Sequence, residues 1–347
     1  MKITPLIWCA LLWCALLPVG LFAADDPPHA FVGTIERLDP AFDRLVAPGT
    51  QIEKLAEGFR WSEGPTWFDG GVVFSDVLAN TVYRWKADVT AGAKVGAVSG
   101  ADVFLRPSGL MKATGGFRET GSNGLTRDAQ GRLLLAQHGE RQIARWENGT
   151  FTPIADRYDG KRFNSPNDLA VRKSGEIYFT DPPYGLAKIA DSPLRELPFA
   201  GVYRVATDGV VTLLTKELNY PNGIGFSPDE KTLYVAVSDG KAPRVMAYDV
   251  KADGTLGAGR VFFDALPRRK PGVKGSCDGL KVDREGNVWA TGPGGVLVIS
   301  PAGKLLGVIN TNEPNGNCCW GDDGSTLYIT ANYFLVRVKT LTKGAGW

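Results

Sequence analysis

The sequence predicts an all-β protein: a six-bladed β-propeller with four-stranded blades, its ring closed by strands from both termini. Three observations carry that prediction. Glycine (43) and proline (22) punctuate the 347 residues, and no long stretch has the periodicity of an amphipathic helix. One unit recurs: a polar head, usually followed by glycine, then a short apolar run, a turn bearing Asp or Gly, and a second apolar run. The heads stand about 40 to 60 residues apart, which brackets the length of a four-stranded propeller blade.

The units justify themselves in order. They begin at Glu63-Gly64-Pro65, Asn123-Gly124-Leu125, Asn167-Asp168-Leu169, Asn222-Gly223-Ile224, Asp278-Gly279-Leu280 and Asn317-Cys318-Cys319. Their second runs end at Ser75-Asp76, Ala136-Gln137, Thr180-Asp181, Val235-Ala236, Trp289-Ala290 and Ile329-Thr330. Third-strand candidates follow at Val82-Tyr83-Arg84-Trp85, Ile143-Ala144-Arg145-Trp146, Val202-Tyr203-Arg204-Val205, Val245-Met246-Ala247-Tyr248, Val296-Leu297-Val298-Ile299 and Leu335-Val336-Arg337-Val338. Fourth-strand candidates are the runs from Phe151, Val211, Val261 and Leu305. The last unit reaches Trp347 without a fourth strand, and Ile52-Glu53-Lys54-Leu55-Ala56 can supply it. Such closure leaves no exposed sheet edge. Two insertions stand out, Ala87 to Ser122 and Gly185 to Ala200, and each reads equally as a lid or a plain surface loop.

The first 24 residues read as a secretory signal peptide. Lys2 gives a positive start, Ile7 to Phe22 is almost unbroken apolar sequence, and Ala23-Ala24 precede Asp25-Asp26-Pro27-Pro28. An uncleaved anchor is the alternative, but small residues end the run and no positive flank follows it. The expectation is therefore an exported protein, periplasmic or secreted, with residues 25–347 forming one domain. Cys9 and Cys14 leave with the leader, and Cys277, Cys318 and Cys319 read as buried free thiols.

Net charge is +2, so nothing suggests a nucleic-acid binder. Arg268-Arg269-Lys270 precedes Pro271-Gly272 and reads as a solvated loop. No Gly-x-Ser-x-Gly elbow, phosphate loop or dinucleotide fingerprint is present. Cys277 adjoins Asp278, which disfavours a thiolate nucleophile.

In a propeller, the residue before each inner strand points at the mouth of the central channel. Glu63, Asn123, Asn167, Asn222, Asp278 and Asn317 should therefore converge on one face. The second strands return Asp76, His138, Asp181, Ser238-Asp239, Thr291-Gly292 and Asn332 to the same rim. Any one Asn-Gly or Asp-Gly pair is more simply a turn. Six at blade period, each before an inner strand, describe a site. Oxygen donors alone suit Ca²⁺, with Mg²⁺ or Mn²⁺ as alternatives. Zn²⁺ ranks behind them, because His29 and His138 are the only histidines and no zinc-type cysteine spacing occurs.

These heads, with Phe74-Ser75-Asp76, Thr180-Asp181-Pro182-Pro183-Tyr184 and Thr326-Leu327-Tyr328-Ile329-Thr330, resemble the senescence marker protein 30/gluconolactonase family, in its bacterial gluconolactonase-like branch. The resemblance spans about residues 50 to 340. It implies a six-bladed propeller with one divalent cation at the channel mouth and hydrolysis of a sugar lactone. By the same resemblance, the metal ligands fall on Glu63, Asn167, Asn222 and Asp278. A substrate-facing arginine falls on Arg162, and Asn123, His138, Asp181 and Tyr184 fall on the pocket wall.

The expected mechanism is metal-assisted attack of water on the lactone carbonyl. Asp278 is the first candidate for general base, with Glu63 beside it in the catalytic set and His138 the alternative base. Rival readings are hydrolysis of other lactones or organophosphates on the same scaffold, a non-catalytic exported carbohydrate-binding propeller, and, last, a strictosidine-synthase-like enzyme.

Overall fold

The apolar runs all become β-strands, because alternate residues of each run face a neighbouring sheet and the turns between them carry the glycines. The structure, a computed structural model, describes residue 1, residues 30–88 and residues 94–347. Apart from Met1, the leader expected over residues 1–24 lies outside the described residues, as do Cys9, Cys14 and His29. Helical geometry among the described residues is confined to three short 3-10 turns, at Pro40–Arg44, Ile189–Asp191 and Leu266–Arg268. The protein is all-β.

Consecutive strands pair antiparallel into separate sheets. Ser122–Arg127, Leu133–Gln137, Gln142–Glu147 and Thr150–Ala155 form one. Leu169–Val171, Ile177–Asp181, Gly201–Val205 and Val211–Thr215 form the next, and Pro221–Phe226, Thr232–Val237, Arg244–Asp249 and Arg260–Asp264 the one after. Leu280–Val282, Val288–Gly292, Gly295–Ile299 and Leu305–Asn310 gain a fifth strand, Thr34–Arg37, from near the N-terminus. The sequence reading had given that segment no role.

Besides a two-stranded ribbon of Arg157–Tyr158 and Lys161–Arg162, one further sheet joins the two ends of the chain. Thr326–Lys339 pairs first with Asn317–Gly321 and then with Glu53–Phe68, whose own second half pairs with Gly71–Asp76. Glu53 stands opposite Arg337, and their side chains form an ion pair at 2.7 Å. Thr81–Trp85 and Asp102–Leu105 complete the sheet. The first insertion therefore supplies an outer strand.

The two insertions also meet. Phe117 bridges Leu186, Arg118 N–H donates to the Gly185 carbonyl (2.9 Å), and Ala187 N–H donates to the Gly116 carbonyl (2.9 Å). Leu186 and Leu197 are buried.

Apolar cores lie between neighbouring sheets. Trp289 and Trp320 come from adjacent sheets and meet edge to face at 5.2 Å, with Phe42 of the N-terminal segment in the same cluster. Phe163, Phe179 and Tyr203 form another layer. Cys277, Cys318 and Cys319 are free thiols buried in these cores.

The tightest packing is where the innermost strands begin. A Cβ on Gly64 would collide with the Asn123 carbonyl, one on Gly223 with the Asp278 carbonyl, and one on Gly279 with the Asn317 amide. A Cβ on Gly124 would lie 2.7 Å from the Asn167 carbonyl, and one on Gly316 would lie 2.6 Å from the Glu63 carboxyl carbon. In the third unit Asp168 replaces the glycine, and the Thr180 hydroxyl donates to the Asn222 carbonyl at 2.7 Å. Glycine follows most of the heads because each head abuts the next, and backbone cannot yield as a flexible side chain does.

Gly223→Ala should therefore lower stability by about 1–3 kcal/mol, as overpacking does. Gly115→Ala, where an added Cβ meets nothing within 4 Å, should leave the melting temperature in place. Paired thermal unfolding of the two variants measures the difference.

Candidate functional site

This close approach assembles the polar heads. Glu63, Asn123, Asn167, Asn222 and Asn317 are buried, and Asp278 keeps partial exposure. Neighbouring heads are tied through backbone: Gly124 N–H donates to the Asn167 carbonyl (2.7 Å), Gly223 N–H to the Asp278 carbonyl (2.9 Å), and Gly279 N–H to the Gly316 carbonyl (2.7 Å).

Two carboxyls in this ring, Glu63 and Asp278, have no ion-pair partner among the described residues. Burial pushes Glu63 up to about 8, against a hydrogen bond from Gly64 N–H and with added repulsion from Asp168 and Glu119. Burial likewise raises Asp278 well above the usual carboxylate range, followed by the charges of Glu63, Asp168 and Glu119. Each therefore resists ionisation beside the other.

The amide heads divide into two kinds. Asn167 Oδ1 and Asn222 Oδ1 are buried acceptors without a hydrogen-bond partner. Asn222 spends its amide N–H on the Ser238 hydroxyl (3.0 Å), which leaves its oxygen free. Asn317 is spent: its amide donates to Asp168 Oδ2 (3.0 Å), while its oxygen accepts from Cys318 N–H (2.9 Å) and Lys281 Nζ (3.2 Å). Buried acceptors are rarely left unpaired without a reason. Two unpartnered amide oxygens beside two carboxyls make a donor set for a hard cation. Among the described residues, no three His, Cys, Asp or Glu side chains group as a metal site, so any such ion would depend on the amides.

The other residues singled out in the sequence have identifiable partners. Asp181 accepts from Asn164 N–H and Ser165 N–H, both at 2.8 Å, although burial pushes it up to about 7. Asp76 does the same for Arg60 N–H (2.9 Å) and Trp61 N–H (3.2 Å). Each aspartate thus pins the backbone just before the head of its own sheet. Tyr184 is stacked on Tyr220 with ring centroids 5.4 Å apart, and burial raises its phenol. Its hydroxyl meets Ser238, and the Asp278 charge acts on it. Arg162 turns its guanidinium to the Glu140 carbonyl, and its own N–H donates to Glu196 Oε2 (2.9 Å). No hydrogen bond joins it to the heads.

His138 is fully buried, with Nδ1 3.0 Å from Glu119 Oε2. The alignment is poor for a hydrogen bond, so the contact is one of proximity, and both ring nitrogens lack other partners. Glu119 belongs to the first insertion and is 6% exposed.

A cavity of about 520 Å³ opens near the other ends of the innermost strands, between Trp67, Ile224, Lys281 and Trp347. Its acids are engaged: Asp128 with Arg132 at 2.7 Å, Glu230 with Arg172 at 3.4 Å. Size favours that cavity, whereas unpaired buried oxygens favour the ring of heads. The latter weigh more, because they identify chemistry rather than space.

A family model described as SMP-30/Gluconolactonase/LRE-like region matches residues 61–333. The chain belongs to this family. It is 39% identical to a gluconolactonase from Zymomonas mobilis over 323 residues, covering 90% of this chain and 88% of that protein. A solved gluconolactonase from Xanthomonas campestris superposes with a TM-score of 0.75 at 32% identity, covering 90% of this chain and 96% of that one. The calcium-binding protein regucalcin from Agrobacterium tumefaciens shares the fold, with a TM-score of 0.60 at 21% identity.

Sequence reasoning missed Glu119 as a site residue. It precedes Asn123 by four positions, an acid close to a head, but the other units offer no counterpart to flag it. It also left Asp168 and Lys281 without roles, although Asp168 occupies the place where most units have glycine.

Asp181→Ala should unpair two buried N–H groups, at about 1–3 kcal/mol for each. Urea unfolding should show a lower midpoint for this variant. Asp249→Ala, which removes an exposed ion-pair partner of Arg260, should leave the midpoint in place.

Proposed function

We propose that this family member hydrolyses a sugar lactone of the gluconolactone type, with one divalent cation held by Glu63, Asn167, Asn222 and Asp278. The observation that carries the reading is the pairing of two buried, mutually repelling carboxyls with two unpartnered amide oxygens. The gluconolactonases from Zymomonas and Xanthomonas support the substrate class and the hydrolytic chemistry. Ca²⁺ is the first choice for an all-oxygen set, Mg²⁺ or Mn²⁺ the next.

The same reading takes residues 25–347 as one six-bladed propeller. The innermost strand segments contact one another in cyclic order, from Glu63 through Asn123, Asn167, Asn222, Asp278 and Asn317 and back, which favours a ring. Pairing of Glu53 with Arg337 is the arrangement such a closure requires.

Bound at the heads, the cation supplies Lewis-acid polarisation of the lactone carbonyl and offsets the two carboxylates. The chain's own residues supply the rest. Asp278 keeps partial exposure, so one of its oxygens can take a proton from the attacking water. That proton then passes to the alkoxide released when the ring C–O bond breaks, leaving the hydroxy acid. His138 has no exposed surface, so the base is assigned to Asp278. Asn167 and Asn222 orient the site without changing charge. Tyr184, stacked on Tyr220, walls the mouth.

A chelator should abolish lactone hydrolysis, and added Ca²⁺ or a similar ion should restore it. Asp278→Asn should lower kcat by about 10²- to 10⁴-fold, the usual worth of a general base. Glu63→Gln should weaken metal binding and activity together, as followed by calorimetry and a proton-release assay. Full turnover in excess chelator would falsify the metal-assisted reading.

We also propose export with removal of residues 1–24. N-terminal sequencing of the mature protein should begin at Asp25, and an intact Met1 on membrane-bound protein would support an anchor instead.

A further inference from the structure

The lactonase reading leaves one buried pair unused. Glu119 and His138 come from different parts of the chain, the first from the insertion before Asn123, the second from the end of the strand that follows it. Their positions are fixed by backbone. Glu119 N–H donates to the Gly185 carbonyl at 3.2 Å, and His138 N–H donates to the Gly121 carbonyl at 3.0 Å. A Cβ on Gly185 would stand 2.8 Å from His138 Cβ, so the second insertion presses directly on the histidine. Three separate stretches of chain thus hold two polar side chains in one place.

The carboxylate is shared at its two oxygens. Oε1 lies 2.7 Å from Arg118 Nη1, and Oε2 lies 3.0 Å from His138 Nδ1. Arg118 is half exposed, which places the pair between solvent and the fully buried imidazole. Gly121, which accepts from His138 N–H, stands two residues before the head Asn123, and Gly185, which accepts from Glu119 N–H, directly follows Tyr184, so the pair borders the ring of heads. His138 Nε2 is buried with no partner, and a buried ring nitrogen without one calls for a group to fill the place. The imperfect alignment of Nδ1 with Oε2 points the same way: the pair is close but not locked, as catalytic and binding hydrogen bonds often are before the substrate arrives.

We propose that Glu119 is a specificity-determining residue that accepts hydrogen bonds from ring hydroxyls of a neutral polyhydroxylated lactone, with His138 as its positioning residue. A carboxylate accepts from hydroxyls through several lone pairs at once, which suits a polyol. An unsubstituted lactone gains nothing from Glu119. This inference rests on the lactonase reading for its substrate class.

The test compares wild type, Glu119→Gln, His138→Asn and His138→Ala on D-glucono-δ-lactone and δ-valerolactone. It also measures binding of D-gluconolactam, a non-hydrolysable analogue, by calorimetry. In Glu119→Gln, the ratio of kcat/KM for gluconolactone to that for valerolactone should fall about tenfold or more, the worth of hydrogen bonds to a charged group. The loss should appear mainly in KM, and lactam affinity should fall in parallel. His138→Asn, which keeps a donor near the Nδ1 position, should retain more of the ratio than His138→Ala. Metal affinity and melting temperature of each variant separate these effects from misfolding. Equal loss on both lactones, or no change in the ratio and in lactam binding, would overturn the proposal. If wild type binds the lactam but hydrolyses neither lactone, hydrolysis is wrong while the hydroxyl-recognition role stands or falls on the lactam affinities.

Discussion

The contact of one head with the next is the constraint on which the rest of this structure depends. The carbonyls of Asn123, Asn167 and Asp278 lie where a side chain on Gly64, Gly124 and Gly223 would have to be. Strands that begin so close together bring their leading side chains into one small volume. The same geometry that builds the centre of the fold therefore forces the buried Glu63 and the partly exposed Asp278 together without, among the described residues, a lysine or arginine ion-paired to either. Their raised proton affinities are a direct consequence. Two such carboxyls are costly to hold ionised unless a positive charge joins them. Fold and site are thus one problem in packing: relaxing the contact would relieve the repulsion and disperse the heads.

Accounting for hydrogen bonds separates residues that composition cannot. Asp76, Asp168, Asp181 and Asp278 are all acids near the starts or ends of inner strands. Asp76 and Asp181 each accept from two backbone N–H groups and act as fasteners for the segment leading into a head. Asp168 reaches across to Asn317 and lies 3.7 Å from Lys281 Nζ, so its charge is compensated within the protein. Asp278 and Glu63 have neither such a pair of backbone donors nor, among the described residues, an ion pair. The same division runs through the amides, since Asn317 is saturated while Asn167 and Asn222 each keep an idle oxygen.

Much of this was legible in the sequence, for a physical reason. Alternating apolar residues and regular turns fix where strands run, and the runs named in advance fall in strands, although those from Tyr328 and from Leu335, expected as separate second and third strands, share the single strand Thr326–Lys339. The heads were legible because repetition exposes them: six units at one period distinguish a site from a common turn. What lacked a sibling stayed hidden. Thr34–Arg37 adds to a sheet that already had its four strands, and nothing in its sequence demands that partner. Glu119 sits in an insertion, where no period operates and only the tertiary contact with Gly185 and His138 gives it a place. Arg162 illustrates the converse. Its residue type and position suggested a substrate contact, but the side chain's direction depends on the Glu140 carbonyl, which no local pattern specifies.

The two ends of the inner strands make the same point about function. The roomier end holds a cavity of about 520 Å³. There the C-terminal residue is drawn in by Arg284, which donates to the Trp347 carbonyl at 3.0 Å, and by Arg127 over the Trp347 ring. Its charged groups already have partners, so ligands would have to displace existing interactions to bind strongly. At the opposite end the interactions are incomplete: idle amide oxygens, two carboxyls in conflict, and an imidazole with a free nitrogen. Other buried polar atoms also lack partners, Trp320 Nε1 and Asn315 Oδ1 among them, but only here do unpartnered amide oxygens stand with two mutually repelling carboxyls. Reactivity is therefore expected at the crowded end, where the unfilled bonds are, and not at the end with the greater space.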